Sequence, residues 1–98
     1  ARVTLTLGEN NRAHGIAAVN LYAGSFRLGD EDRIGFDPHF ATTRMAGPPE
    51  LMQLEAQYLE ALARATRLRA SRGEVVLEND DKTVLLGFRT APWVFPSY

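Results

Sequence analysis

The sequence predicts an α+β domain in which one long helix packs against a curved or barrel-like antiparallel meander sheet. Residues 49–65 carry apolar side chains at steps of three and four, which is typical of an amphipathic helix. The segments on either side are short, alternate between apolar and polar residues, and are separated by Gly, Asn and Asp turns. Strands grouped around one helix, rather than alternating with several, favour the α+β class.

The helix is predicted to begin at Pro48 and Pro49, because proline fits the first helical turn. One stripe of residues three or four apart should be buried: Leu51, Leu54, Tyr58, Leu62 and Ala65. A second apolar stripe beside it, which makes the face wide, consists of Met52, Ala56, Leu59 and Ala63. We expect this wide face to cover one side or one end of the sheet.

The strands are predicted from period-two alternation. They cover residues 3–7, 13–20, 25–28, 34–36, 67–71, 74–78 and 83–89. We expect a bend or bulge over Leu21–Gly24, and Phe26 and Leu28 on one face of the strand that follows. A small residue such as Gly15 inside a strand indicates that another backbone or a bulky ring packs close to it.

Composition excludes several classes of function. The chain has 98 residues, which predicts one domain over residues 1–98. Its net charge is -1 without a basic stripe, so we expect no nucleic-acid partner. No apolar run reaches membrane-spanning length. Cysteine is absent, which rules out disulfides, zinc thiolates and thiol nucleophiles in this chain.

Glu55 interrupts the apolar face of the predicted helix. A carboxylate there is costly unless it is paired or hydrogen-bonded. In the structural interpretation, it accepts bonds from backbone N–H groups or from the Thr42–Arg44 loop. In the functional one, it is a carboxylate with a raised pKa. The structural interpretation is favoured, since buried polar groups are usually satisfied.

No other residues form a recognisable catalytic or metal-binding motif. His14 and His39 are the only histidines, and nothing in the spacing links them to Ser25 or Ser71 as a nucleophile. The set His14, His39 and Asp37 lacks metal-ligand spacing. We therefore expect no catalytic residue, no metal and no cofactor.

Two segments resemble the META domain family, which includes the HslJ-like heat-shock lipoproteins. Residues 42–52, TTRMAGPPELM, together with Glu55 and Leu59, are similar to its signature, and residues 15–26 are similar to its upstream segment. The motif positions for which the resemblance implies a structural role are Asn20, Tyr22, Thr42, Thr43, Arg44, Met45 and Glu55. Members often have cysteines where Val19 and Gly47 stand here, and they usually open with a tryptophan-bearing strand ahead of residues 3–7. This chain lacks both features.

The resemblance implies a non-enzymatic accessory or stress-response domain of the cell envelope or periplasm, and it leaves the molecular activity unknown. We expect an interaction module whose partner is an unknown protein or a small ligand. Two alternatives are a small apolar ligand bound between helix and sheet near Tyr22, Arg44 and Glu55, and an enzyme that uses Glu55 with a histidine. The aromatic tail, residues 91–98, is expected either to dock as an edge segment in the place of the absent opening strand, or to be a loosely ordered end or the remains of a longer chain.

Overall fold

The computed structural model describes residues 2–89, and the predicted docking of the aromatic tail lies outside them. The described elements are β1 (Arg2–Val3), β2 (Thr6–Leu7), β3 (Arg12–Ala18), β4 (Asn20–Leu28), β5 (Ile34–Phe36), β6 (Ala41–Thr42), α1 (Pro49–Arg64), β7 (Arg67–Ser71), β8 (Glu74–Glu78) and β9 (Val84–Arg89). A short 3₁₀ turn, Glu9–Asn11, joins β2 to β3. Within residues 2–89, no helix has the length and apolar character needed to cross a membrane.

The predicted α+β class, with antiparallel strands and one long helix, is confirmed. The strands divide between two sheets. In the first, β3 and β4 form the centre, β1 and β2 pair with the outer edge of β3, and β5 and β6 pair with β4. In the second, β7, β8 and β9 form a meander. Across residues 2–89, the strands do not close into a barrel.

A short seam joins the two sheets where β5 and β7 begin. The Ile34 N–H donates to the Thr66 carbonyl over 3.0 Å, and the Leu68 N–H donates to the Asp32 carbonyl over 2.8 Å. The Arg67 guanidinium donates to the Asp32 carboxylate over 2.9 Å. Because α1 packs against β3, β5 and β9, the helix contacts both sheets and covers the seam between them.

The helix begins at Pro49, as predicted, and buries Tyr58 and Leu62 against the sheets. The buried apolar core consists of Ala13, Ala17, Tyr22, Phe26, Ile34, Phe36, Tyr58, Leu62, Ala65 and Leu77. The prediction for Leu54 is wrong, since this side chain is 37% exposed. At 100° per residue, Leu54 lies at the border of the face centred on Glu55 and Leu62, so one side of it meets solvent.

The predicted bend over Leu21–Gly24 is also wrong, because β4 is continuous from Asn20 to Leu28. Gly24 serves close packing instead. A Cβ at this position would lie 2.6 Å from the Phe40 ring. Leu28 is 67% exposed rather than buried beside Phe26, because β4 ends there and the chain leaves the sheet.

The first predicted strand, residues 3–7, is interrupted at Thr4, although β1 and β2 keep one register against β3. The Thr4 side-chain oxygen accepts the Ile16 N–H over 2.9 Å, which leaves the Thr4 carbonyl to accept the Tyr22 hydroxyl over 2.8 Å. A Cβ at Gly15 would lie 2.1 Å from that carbonyl oxygen. The predicted close approach of another backbone at Gly15 is therefore confirmed.

We expect Gly15→Ala to lower the free energy of unfolding by about 2–4 kcal/mol. The new methyl group overlaps the Thr4 carbonyl, so the backbone must shift and the bond from Tyr22 is lost. Chemical denaturation measures this loss. Gly35→Ala is the matched control, because a Cβ at Gly35 meets nothing within 4 Å. Equal stability of the two variants would contradict the account of Gly15.

Candidate functional site

Glu55 receives its hydrogen bonds from the tip of the β3–β4 hairpin. Its Oε1 accepts the backbone N–H groups of Val19 over 3.2 Å and Asn20 over 2.8 Å. Its Oε2 accepts the Asn20 side-chain amide over 2.9 Å. The hairpin tip includes Ala18 in the left-handed region, at φ 61°. The carboxylate of the helix therefore holds a strained turn of the sheet in place.

Asn20 is the centre of this network and is 3% exposed. Its Oδ1 accepts the Thr43 hydroxyl and the Met45 N–H, each over 2.7 Å. Its Nδ2 donates to Glu55 and, over 3.1 Å, to the Met45 carbonyl. Both ends of the Asn20 amide are thus satisfied, and they join the hairpin to the segment before α1.

The other motif residues lie around this network in different ways. Thr43 accepts the Leu21 N–H over 3.0 Å, so its hydroxyl both donates and accepts. Met45 contributes its backbone, while its side chain is 53% exposed. Thr42 is an exposed residue of β6 and pairs with Tyr22 of β4. Arg44 is exposed and is not a hydrogen-bond partner of Glu55. The side chain that donates to Glu55 is that of Asn20 and not one from the Thr42–Arg44 loop.

The protonation state of Glu55 argues against acid–base chemistry. Burial is the largest influence on its pKa and raises it, but the bonds from the Asn20 side chain and from the Asn20 and Val19 N–H groups outweigh burial. The net result is a pKa below the usual value for glutamate. Glu55 is therefore a fixed carboxylate at neutral pH and not a proton donor.

A chain of hydroxyl groups fills the space between helix and sheet. The Tyr22 hydroxyl donates its only hydrogen to the Thr4 carbonyl over 2.8 Å, so Tyr58 is the donor in the 2.5 Å bond between the two tyrosine hydroxyls. Burial raises the pKa of Tyr22 to about 12, although the bond from Tyr58 lowers it in part. Burial and donation to Tyr22 also raise the pKa of Tyr58. Tyr22 and Tyr58 are 2% and 4% exposed, so side chains occupy the place expected for an apolar ligand.

The histidines lie apart from this network. His14 is an exposed residue of β3 opposite Ala23. The His39 side chain is 92% exposed, and its Nδ1 lies 3.2 Å from the Asp37 carboxylate. Neither imidazole hydrogen-bonds to Glu55, and in residues 2–89 no three His, Asp or Glu side chains are grouped to hold a metal ion.

Sequence reasoning missed two residues that matter to the structure. Thr4 connects β3 to the tyrosine hydroxyls, but in the sequence it is one polar residue of an alternating strand. Glu78 is 2% exposed and accepts the Arg69 Nε and Nη2 groups over 2.9 Å and 2.7 Å. Its position two residues from a turn gives no sign of burial, and only the alternation of Arg67 and Arg69 on the neighbouring strand could have suggested a buried acid.

The fold and the buried network define a class of small α+β domain whose signature side chains hold a helix to a sheet. Comparison with known families assigns the chain within this class. The META domain family model matches residues 1–92, and the chain belongs to this family. No curated protein matches the chain.

Two solved structures have a similar fold. The NMR structure of a protein from Burkholderia xenovorans has a TM-score of 0.74 and 30% identity, with 94% of this chain and 66% of that chain covered. The crystal structure of a DUF4847 family protein from Bacteroides vulgatus has a TM-score of 0.70 and 15% identity, with 91% and 59% covered. Because the DUF4847 family protein is only 15% identical to this chain, its similarity shows the fold alone. This chain spans less than two thirds of the length of both proteins.

We expect Glu55→Ala to lower the free energy of unfolding at neutral pH by about 1–3 kcal/mol, because the Asn20 N–H loses its acceptor and the Val19 N–H and the Asn20 side-chain amide each lose one of two. Glu55→Gln should cost about 1 kcal/mol, since its amide would face the Asn20 amide donor. Glu60→Gln, on the exposed side of α1, is the control and should change stability by less than about 0.5 kcal/mol. Denaturant titrations measure all three, and an unchanged Glu55→Ala would contradict the network.

The same variants have a pH signature. The folded pKa of Glu55 is below its unfolded value, so its contribution is complete above about pH 4.3 and is lost as pH falls through the folded value. Stability of the native chain should therefore decline in acid more steeply than that of Glu55→Gln. Asp37 and Asp80 also have lowered pKa values, but they contribute equally to both proteins. Parallel acid profiles would contradict the lowered pKa of Glu55.

Val19 and Gly47, where family members often have cysteines, are neighbours in space. A Cβ built at Gly47 lies 3.6 Å from the Val19 Cβ and 2.8 Å from its Cγ2. The first distance lies within the range for a disulfide. We expect the double variant Val19→Cys, Gly47→Cys to oxidise to a bridge that raises stability by roughly 3 kcal/mol. Non-reducing gels and mass spectrometry detect the bridge, reduced protein is the control, and thiols that stay free after oxidation would contradict the placement.

Proposed function

We propose that this chain is a non-enzymatic accessory domain of the cell envelope that takes part in a stress response through contact with another protein. One observation carries the proposal. The buried polar groups of the family motif are used inside the domain, where Glu55, Asn20 and Thr43 satisfy one another and the adjacent backbone. These three residues therefore act by giving the domain its shape, while Thr42 and Arg44 remain exposed.

The alternatives have less support. A small apolar ligand would need room beneath α1, and Tyr22, Tyr58 and Leu62 occupy that region. An enzyme using Glu55 would need a carboxyl group able to donate or accept a proton at neutral pH, while the pKa of Glu55 is lowered and its oxygens are bonded. Membership in the META family supports the envelope and stress association as an expectation from the resemblance.

Cell fractionation tests the location. The full native protein, tagged at a terminus, should appear with the envelope, and recovery from the cytosol alone would contradict the proposal. A strain lacking the protein should lose tolerance to heat or to an antibiotic, and the native chain should restore it.

Complementation by variants tests the absence of catalysis. Glu55→Gln should restore tolerance in proportion to the amount of folded protein, with Glu60→Gln as the matched control. Complete loss of tolerance by Glu55→Gln at normal levels of folded protein would indicate a catalytic role instead.

A further inference from the structure

A groove of about 570 Å³ lies along the ends of β4 and β5. Ser25 and Arg27 line it from β4, and they alternate with the buried Phe26, so their side chains are on the outer face of the sheet. Gly35 lies opposite Arg27 and also lines the groove. A Cβ at Gly35 would meet nothing within 4 Å, so open space lies above this glycine.

Two arginines, one in the lining of the groove and one beside it, bring positive charge to this face. Arg27 is exposed, and Arg12 stands directly opposite Ser25 on β3, which places it on the same face. Within the described part of the chain, neither arginine has a carboxylate at ion-pair distance. His39 also lines the groove.

One carboxylate, that of Asp37, lines the groove, and it is already bonded. Its Oδ1 accepts the His39 N–H over 2.9 Å and lies 3.2 Å from the His39 Nδ1. These bonds to His39, helped by the charge of Arg27, hold the pKa of Asp37 below its usual value. Asp37 is thus an ionised partner of His39, and its single negative charge offsets only one of the two arginine charges.

We propose that this groove binds an extended, acidic segment of a partner protein, with a Glu or Asp carboxylate held by Arg27 and Arg12. The inference rests on the proposed function as an interaction domain. A peptide fits better than a small molecule, because sites for small molecules usually enclose most of the ligand and this groove is open along the sheet. Gly35, which has no side chain, and the small Ser25 also let a peptide backbone approach the sheet closely.

A second groove supplies a matched control on the other sheet. It encloses about 370 Å³ and includes Gly87 and Arg89 of β9. Gly87 also faces open space, but Arg89 lies opposite Glu74 in the sheet, so its charge has an acidic neighbour. Changes at Gly87 and Arg89 therefore repeat the chemistry of changes at Gly35 and Arg27 in a place that the proposal does not use.

The test uses NMR titration of the native chain with a glutamate-rich peptide, its glutamine counterpart and inorganic phosphate. The glutamate peptide should shift the signals of residues 25–27 and 35–39, and its binding should weaken when salt is added. Arg27→Glu and Gly35→Leu should each weaken binding about tenfold, equivalent to about 1.4 kcal/mol. Arg89→Glu and Gly87→Leu should leave it unchanged, and denaturation curves establish that all four variants fold.

Several outcomes would overturn the inference. These are equal binding of the glutamine peptide, shifts confined to other residues, a response to phosphate without a response to the peptide, or binding unaffected by Gly35→Leu. Failure here is distinct from failure of the proposed function. If Arg27→Glu and Gly35→Leu still restore stress tolerance fully, the domain acts through another surface, whereas loss of envelope location bears on the proposed function alone.

Discussion

The structure depends on one buried carboxylate. A charge beneath a helix is costly, and Glu55 is tolerated because three N–H groups from Val19 and Asn20 converge on its two oxygens. Those donors belong to the tip of the β3–β4 hairpin, so the bonds to Glu55 tie the helix to the hairpin. Asn20 extends the arrangement to Met45, in the segment before α1.

The second support is a chain of hydroxyl groups beneath the same helix. Tyr58, Tyr22 and the Thr4 carbonyl run from α1 through β4 to the edge of the sheet, and Gly15 provides the space for that carbonyl. Polar atoms thus sit at both the hairpin end and the middle of the helix interface, with Leu62 and Ala65 packed beyond them. The interface is specified by hydrogen-bond direction as well as by apolar contact.

Local patterns in the sequence were enough to predict the class of fold, the helix and most strands. Helical spacing predicted a helix over residues 49–65, and the single acid on its apolar face, Glu55, indicated the site. The sequence did not predict the long-range contacts. Nothing local shows that Gly24 makes room for Phe40, that Thr4 turns its carbonyl toward Tyr22, or that Asn20 rather than Arg44 is the partner of Glu55. These facts depend on contacts between residues far apart in the chain, and so does the seam that joins the two sheets through Asp32 and Leu68.

The left-handed Ala18 has a consequence for how the domain assembles. A non-glycine residue in this conformation costs roughly 1–2 kcal/mol, so the turn destabilises the β3–β4 hairpin as long as the helix has not packed against it. The compensating bonds come from residue 55, far along the chain, and exist only after α1 has docked. Hairpin and helix are therefore completed together, and the early strands gain their full stability only from a segment synthesised well after them.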